Sequence, residues 1–250
     1  MVAGYESFRQ WFQGYEEQFV VIGGAACDIM MSEVGADFRG TKDIDMVLLI
    51  ESLTADFGRR FWAYVTAGGY QHKNKSSGQP QFYRFTNPAK PGFPLMIELF
   101  SRRADAIELP ADAVLTPLPL DDDLSSLSAI LMDDDYYRFL QAGRTVIDGI
   151  PILDAAHLIP LKAKAWLDLS ARKAAGVAVD SRHISKHKND VFRLSGVLSP
   201  NAKIDASAAI MADLTAFCAA MQTEAMDLKS LGLSGSKDDI LDKIMGTYLA

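Results

Sequence analysis

The sequence predicts an α/β (α+β) domain followed by a domain built of helices. Through residue 153, short apolar runs bounded by glycine, proline or polar residues alternate with helical spacings, which is typical of a mixed sheet layered with helices. From residue 154 onward the apolar spacing is mainly helical, and no flexible linker separates the two parts. We therefore expect an α/β domain over 1–153 and a helical domain over 154–250.

The elements of the first domain follow from local spacing. Phe8, Trp11, Phe12 and Tyr15 lie three or four residues apart, so residues 5–18 are expected to form a helix. The elements expected after it are a strand at 19–22, a helix at 25–33, a strand at 44–50, a helix at 59–66, a loop at 72–80, a strand at 81–86, a turn at 87–94, strands at 95–100 and 127–132, a small helix starting near 133 and short strands within 145–153.

The second domain begins with residues 155–174, which have the spacing of one long helix, and Asp154 is in position to cap its N-terminus. Further helices are expected at 183–196, 205–230 and 237–248.

The composition bounds the class of protein. Hydrophobic residues make up 49% and charged residues 23%, which excludes a disordered chain, a collagen-like fibre and a coiled coil. No apolar run approaches the roughly 20 residues of a membrane helix, and the first residues lack the apolar core of a signal peptide. Two cysteines, Cys27 and Cys218, are too few for a disulfide framework. We expect a cytoplasmic protein with free thiols and no membrane partner.

The charge is unevenly distributed along the chain. The net charge of -7 argues against a protein that coats nucleic acid. Residues 157–193, however, contain eight Lys or Arg and three Asp, a net charge of +5 that leaves −12 on the rest. A basic run of this kind is usually a solvated helix face.

Three features in order along the first domain indicate chemistry. Gly23-Gly24 follows a strand and precedes a helix, Asp43 and Asp45 open the next strand, and Glu98 lies inside the apolar strand LMIELF. Because alternate strand residues point to one face, the two aspartates share a face and repel each other. A divalent cation such as Mg²⁺ or Mn²⁺ relieves that repulsion. With Glu98 on a neighbouring strand facing the same way, three acids could hold two ions for phosphoryl or nucleotidyl transfer.

The glycine turn fits the same chemistry, since backbone N–H groups without side chains can approach a triphosphate closely. Each feature alone has a plainer interpretation: a simple turn, a paired strand glutamate, or acids on a solvated surface or at a helix N-cap, as expected for Asp121–Asp123 and Asp133–Asp135. The combination favours a catalytic site.

This combination resembles the nucleotidyltransferase superfamily whose best-known member is DNA polymerase beta. The residues that carry the resemblance are Ile22-Gly23-Gly24, Asp43-Ile44-Asp45 and Glu98, which stands where the family more often has Asp. The 18 residues between Gly24 and Asp43, together with Thr41 ahead of the acid pair, resemble the AbiEii-type abortive-infection toxins.

The second half extends that narrower resemblance. Lys162 lies in the segment LIPLKAKAWLD, which resembles the lysine-bearing helix of these toxins, and KHKNDVFRL, with Lys188 and Asp190, resembles a later helix of theirs. Lys162 stands in a largely apolar stretch, which indicates an inward-facing cation. Near the acids it would bind triphosphate oxygens and stabilise the leaving pyrophosphate, with Asp190 orienting either this lysine or the acceptor.

The resemblance implies a nucleotidyltransferase fold and a Mg²⁺- or Mn²⁺-dependent enzyme that uses an NTP. It assigns metal binding to Asp43 and Asp45, and a second metal or the base on the acceptor to Glu98. Nucleotide contacts are assigned to Gly23, Gly24, Thr41, Lys162 and Lys188. The implied acceptor is RNA, such as a tRNA, or a protein, and a cognate antitoxin is an implied partner.

Three alternatives stay open at this point. A small-molecule acceptor such as an aminoglycoside antibiotic fits the same chemistry. A nucleotide- or RNA-binding protein on the same fold would bind without catalysis. A partner-binding, antitoxin-like module would have no nucleotide affinity.

Overall fold

The computed structural model describes residues 3–72, 82–102, 130–131 and 133–249. These residues divide into two compact units. The first contains 3–72, 82–102 and 144–154, and the second contains 130–131, 133–143 and 155–249. The first combines helices with a mixed sheet, whereas the second is helical apart from a small strand pair, so the expected mixed α/β class is confirmed.

Helices and strands alternate through most of the first unit. Its elements are α1 (Tyr5–Trp11), β1 (Phe19–Ile22), α2 (Gly23–Glu33), β2 (Asp43–Leu48), α3 (Ala55–Gly68), β3 (Gln71–His72), β4 (Phe82–Thr86), β5 (Met96–Phe100), β6 (Arg144–Ile147) and β7 (Ile150–Leu153). Among the described residues these strands form one seven-stranded sheet in the order β3-β4-β5-β2-β1-β7-β6. The central strands are mixed, because β2 runs antiparallel to β1 and parallel to β5.

The two faces of this sheet are covered differently. Phe19 of β1 packs against Phe12 and against Phe57 of α3, with ring centroids 5.8 and 5.9 Å apart. Phe85 of β4 packs on Phe61 of α3 at 5.3 Å. Helix α2 also packs on β1 and β2. It begins against Asp45, whose side chain lies on the face opposite Phe19 because of the strand register. One face therefore carries an aromatic core, and the other carries polar residues beside the start of α2.

The second unit is built around a long helix. Its elements are α4 (Asp134–Ala142), α5 (Ala155–Ala174), α6 (Ser181–Ser195), β8 (Ile204–Asp205), α7 (Ala208–Thr223), α8 (Lys237–Thr247) and β9 (Tyr248–Leu249). Helix α5 packs against α6 and α7. None of the helices within the described ranges combines the length and apolar character needed to cross a membrane.

A proline inside α5 is compensated by a distant side chain. Pro160 has no N–H, so it cannot donate to the carbonyl of Ala156 four residues earlier. The hydroxyl of Tyr248, a buried residue 92 positions further along the chain, donates to that carbonyl at 2.7 Å. A buried carbonyl that the helix cannot satisfy is therefore satisfied by tertiary structure.

Several predicted elements differ from the structure. The helix expected over 5–18 ends at Trp11, because Gly14 follows with a φ of 88°, which a helix does not allow. The helix expected over 205–230 spans only Ala208–Thr223. The strand expected over 127–132 lies mostly outside the described residues, and Ile130 and Leu131 are helical.

Other expectations agree with the structure. The long helix has the predicted bounds, Ala155–Ala174. Asp133, one of the acids interpreted as a surface or capping residue, caps α4 by accepting from the N–H groups of Asp135 and Tyr136 at 2.9 and 3.1 Å. In contrast, residues 133–143, which were expected in the α/β domain over 1–153, belong to the second unit.

Candidate active site

Strand register brings the three predicted acids to one face of the sheet. Asp43 and Asp45 share a face of β2, and Ile44 between them is buried on the other face. The parallel pairing of β2 with β5 places Asp45 directly beside Glu98. The antiparallel pairing with β1 places Asp45 beside Ile22, the last residue before the glycine turn. Three segments distant in sequence therefore meet around Asp45.

The glycine turn lies in direct contact with this acid face. Gly23 has a φ of 67°, and a Cβ on it would lie 1.8 Å from Oδ2 of Asp45. A Cβ on Gly24 would lie 2.8 Å from Oγ1 of Thr41. Helix α2 begins at Gly23, so its first N–H groups, which have no partner within the helix, start beside the carboxylates. This places the positive end of a helix dipole next to the acids.

Glu98 is held by an arginine that sequence reasoning missed. Nε and Nη2 of Arg84 contact the same oxygen, Oε1 of Glu98, at 2.6 and 2.5 Å. The side chains are largely buried, 20% and 12% exposed, so solvent screens this ion pair only in part. The antiparallel register of β4 with β5 places the two residues opposite each other, and nothing in the sequence specifies that register.

The environment of Glu98 also changes its titration. Burial first, and then the charge of Asp45, raises the pKa of Glu98 from 4.5 to about 8, although Arg84 opposes the shift. A hydrogen bond between the side chains of Glu98 and Asp45 favours the protonated form further. Without a cation, the acid face therefore keeps a proton near neutral pH.

Arg39 is a second missed residue. Its Nη2 would lie 3.4 Å from a Cβ on Gly24, and its guanidinium lies 5.2 Å from the ring centroid of Phe38. The signal in the sequence is a cation two residues before Thr41. Together with the start of α2, it adds positive charge at the turn where a phosphate group would approach.

The described residues on this face have the ligand chemistry that a hard divalent ion prefers, but their side chains are not grouped as a set of metal ligands. The carboxylate oxygens of Asp43 and Asp45 are the ligands that Mg²⁺ and Mn²⁺ prefer. Within the part of the chain that the structure describes, no three acidic, histidine or cysteine side chains are grouped as metal ligands. At Glu98 a cation would compete with the guanidinium of Arg84, which contacts the side chain directly.

The second unit contains a buried ion pair. Nζ of Lys162 on α5 donates to Oδ2 of Asp190 on α6 at 2.8 Å, and Nη1 of Arg193 lies 3.7 Å from Oδ1. The side chains of Lys162 and Asp190 are 5% and 0% exposed. Asp190 therefore positions the ammonium of Lys162, and the pair also joins two helices.

Lys188, the other predicted lysine, has different partners. Its Nζ donates to Oε2 of Glu224 at 2.6 Å and to the carbonyl of Ala225 at 3.3 Å. Lys188 and Asp190 are two residues apart on a helix, roughly 200° around its axis, so they lie on opposite sides of α6. The two predicted lysines therefore have separate surroundings within the second unit.

The predicted residues are thus divided between the units. The first carries Gly23, Gly24, Thr41, Asp43, Asp45 and Glu98, and the second carries Lys162, Lys188 and Asp190. No family model matches the chain, and no curated protein sequence matches it.

Proposed function

We propose that this protein is a nucleotidyltransferase that uses Mg²⁺ or Mn²⁺ to transfer a nucleoside monophosphate from an NTP to an acceptor. The supporting observation is the contact of the Gly23 turn with Asp45, which itself stands beside Glu98 on the next strand. The contact puts the first N–H groups of α2, which can bind phosphate, next to the carboxylate of Asp45, which can bind a cation. Nucleotidyl transfer needs that combination.

The residues have distinct roles in this proposal. Asp43 and Asp45 hold the ion, which supplies positive charge to the phosphate oxygens when bound. The first N–H groups of α2 and the side chain of Arg39 bind the triphosphate, with Thr41 beside them. An acceptor hydroxyl attacks the α-phosphorus, the bond to the bridging oxygen breaks, and pyrophosphate leaves.

Glu98 has two proposed roles. It completes a second metal site or, once a bound cation has displaced its own proton, accepts the proton that the acceptor hydroxyl loses. Arg84 fixes the position of this carboxylate through two contacts to one oxygen.

The resemblance to AbiEii-type toxins suggests the acceptor. We propose RNA such as a tRNA, or a protein, in the cytoplasm, with a cognate antitoxin as partner. An antibiotic remains an alternative acceptor for the same chemistry.

The test is transfer of label. Protein is incubated with each α-labelled NTP, Mg²⁺ or Mn²⁺, and total RNA, protein extract or aminoglycosides. We expect label in one acceptor pool, and a loss of at least about 100-fold in Asp45→Asn, since the negative charge of an ion ligand is removed. Glu33→Gln is the matched control, because Glu33 is exposed at the other end of α2.

A second candidate function is nucleotide binding without transfer. The ion pair between Arg84 and Glu98 favours it, because it leaves two carboxylates for metal rather than three. Calorimetry with NTP and Mg²⁺ separates the two. Binding that Asp43→Asn abolishes, without label transfer to any pool, supports the second candidate. The absence of both binding and transfer contradicts both.

A further inference from the structure

A groove in the second unit lies between the two helices of the α5–α6 hairpin. Its volume is about 510 Å³, within the range of small-molecule sites. Helix α5 contributes Trp166, Ser170 and Lys173, which are spaced four and three residues apart and therefore lie on one side of the helix. The groove is thus lined by a continuous row from one helix.

Helix α6 contributes a matching row. Ser181, Ser185 and Lys188 have the same spacing of four and three residues and face the row of α5. Glu224, at the end of α7, completes the polar lining. Asp190 lies on the opposite side of α6, so the groove is separate from the buried ion pair of Lys162.

The groove presents cations and hydroxyls together. Among the residues that line it, two ammonium groups face one carboxylate. Lys188 donates to the carboxylate of Glu224. Lys173 donates to the hydroxyl of Ser181, and because that group is neutral, this contact does not compensate the charge of Lys173. Two further serines add hydroxyls, and Trp166 adds an apolar wall.

Lysine and serine in this arrangement suit a tetrahedral oxyanion, which offers oxygens to an ammonium and to several hydroxyls at once. Lysine binds phosphate as a point charge, and hydroxyls donate to its remaining oxygens. The volume exceeds that of a phosphate, and the apolar wall suits an attached sugar or base. We propose that this groove binds the phosphate ester of a nucleotide, either within an RNA strand or as a free mononucleotide.

The test measures binding with EDTA present, so that metal-dependent binding in the first unit does not contribute. Fluorescence anisotropy follows a labelled single-stranded oligo-U RNA, and calorimetry follows free AMP. Lys173→Gln is expected to weaken binding by about three- to tenfold and to reduce the slope of log K against log salt by about 0.7. Glu224→Gln is expected to tighten binding, because it removes the negative charge and releases Lys188.

Arg182→Gln is the matched control. It also removes one positive charge from the hairpin, but Arg182 pairs with Asp180, is 89% exposed and does not line the groove. We expect it to leave the affinity within about twofold of the parent. Circular dichroism and melting curves confirm that each variant folds.

If Lys173→Gln weakens and Glu224→Gln tightens the binding of both RNA and AMP, the groove binds a phosphate ester from either source. If the variants change the binding of RNA alone or of AMP alone, that ligand is the source of the phosphate ester. Equal effects of Lys173→Gln and Arg182→Gln on affinity would show that the hairpin attracts the ligand only through its overall positive charge, and would overturn the proposal. A poly-glutamate peptide that shows the same dependence on the variants as the nucleotides would overturn the phosphate assignment.

Discussion

Gly23 is the residue at which backbone conformation and the candidate site depend on each other most directly. Its positive φ of 67° costs a side chain about 1–2 kcal/mol, and a Cβ would displace Oδ2 of Asp45. We expect Gly23→Ala to lower the free energy of unfolding by at least that amount. It should also weaken Mg²⁺-dependent NTP binding by about tenfold or more, since both the amide and the carboxylate move.

Gly40→Ala is the control for this change. A Cβ on Gly40 meets nothing within 4 Å, and its φ is not positive. Denaturant titration and calorimetry compare the two variants. Equal stability and affinity in Gly23→Ala and Gly40→Ala would contradict the contact between the turn and Asp45.

Glu98 gives the metal-free protein a pH dependence of defined sign. Because burial and Asp45 raise its pKa from 4.5 to about 8, the folded state holds a proton that the unfolded state has already released between these values. The free energy of unfolding should therefore fall as pH rises from 4.5 towards 8. We expect Glu98→Gln to flatten this slope, measured by denaturant unfolding in EDTA, and Glu33→Gln to retain it. A slope of the same size in Glu98→Gln would exclude Glu98 as its source.

Helix α5 illustrates how an element depends on a distant residue. The 3.6-residue spacing specifies Ala155–Ala174 as a helix, although Pro160 lies inside it. Removal of the Tyr248 hydroxyl leaves the carbonyl of Ala156 buried without that donor. We expect Tyr248→Phe to destabilise the protein by about 1–3 kcal/mol, measured by denaturant titration.

A double-mutant cycle tests the cause. Pro160→Ala restores an N–H within reach of the Ala156 carbonyl, so this carbonyl gains a donor besides the Tyr248 hydroxyl. In the Pro160→Ala background, Tyr248→Phe should cost less than in the parent. Equal costs in the two backgrounds would show that the hydroxyl acts in another way.

Capping explains why some helix ends were predictable and others were not. Ser236 and Asp239 form a reciprocal capping box at the start of α8, a signal that four consecutive residues of sequence contain. Gly23, the first residue of α2, lies two residues before the predicted start at residue 25. From the sequence alone Gly23 is predicted to lie in a turn before the helix. Its contact with Asp45 depends on strand pairing, which local sequence does not specify.

At the scale of the whole molecule, the two compact units provide a test of where ligands act. If the NTP and Mg²⁺ bind as proposed, hydrogen exchange should slow at the start of α2 and along β2 and β5 of the first unit. At a free NTP concentration of 100 Kd, binding adds about 2.7 kcal/mol to the stability of the unit that binds. Mass-spectrometric exchange with and without NTP resolves the segments, and EDTA is the control. Protection confined to the second unit would contradict the proposed site.

The charge of the chain also has to be considered by region. The net value of -7 averages an acid-rich remainder with a basic segment of +5 at 157–193. Several cations of that segment are engaged by nearby acids, as in the pairs Lys162–Asp190 and Lys188–Glu224. The local charge that acts on a ligand at a particular groove therefore differs from both the net charge of the chain and the charge of the segment.

Local pattern was sufficient for the mixed α/β class, for most elements and for the candidate residues Gly23, Asp43, Asp45 and Glu98. Helical and strand periods, caps and turn residues act over a few positions, so they can be predicted from the sequence. The pairing of β2 with β5 and of β4 with β5 could not be predicted from local pattern, because strand register is set by contacts between distant segments. Only tertiary structure could place Asp45 against Gly23 and Arg84 against Glu98.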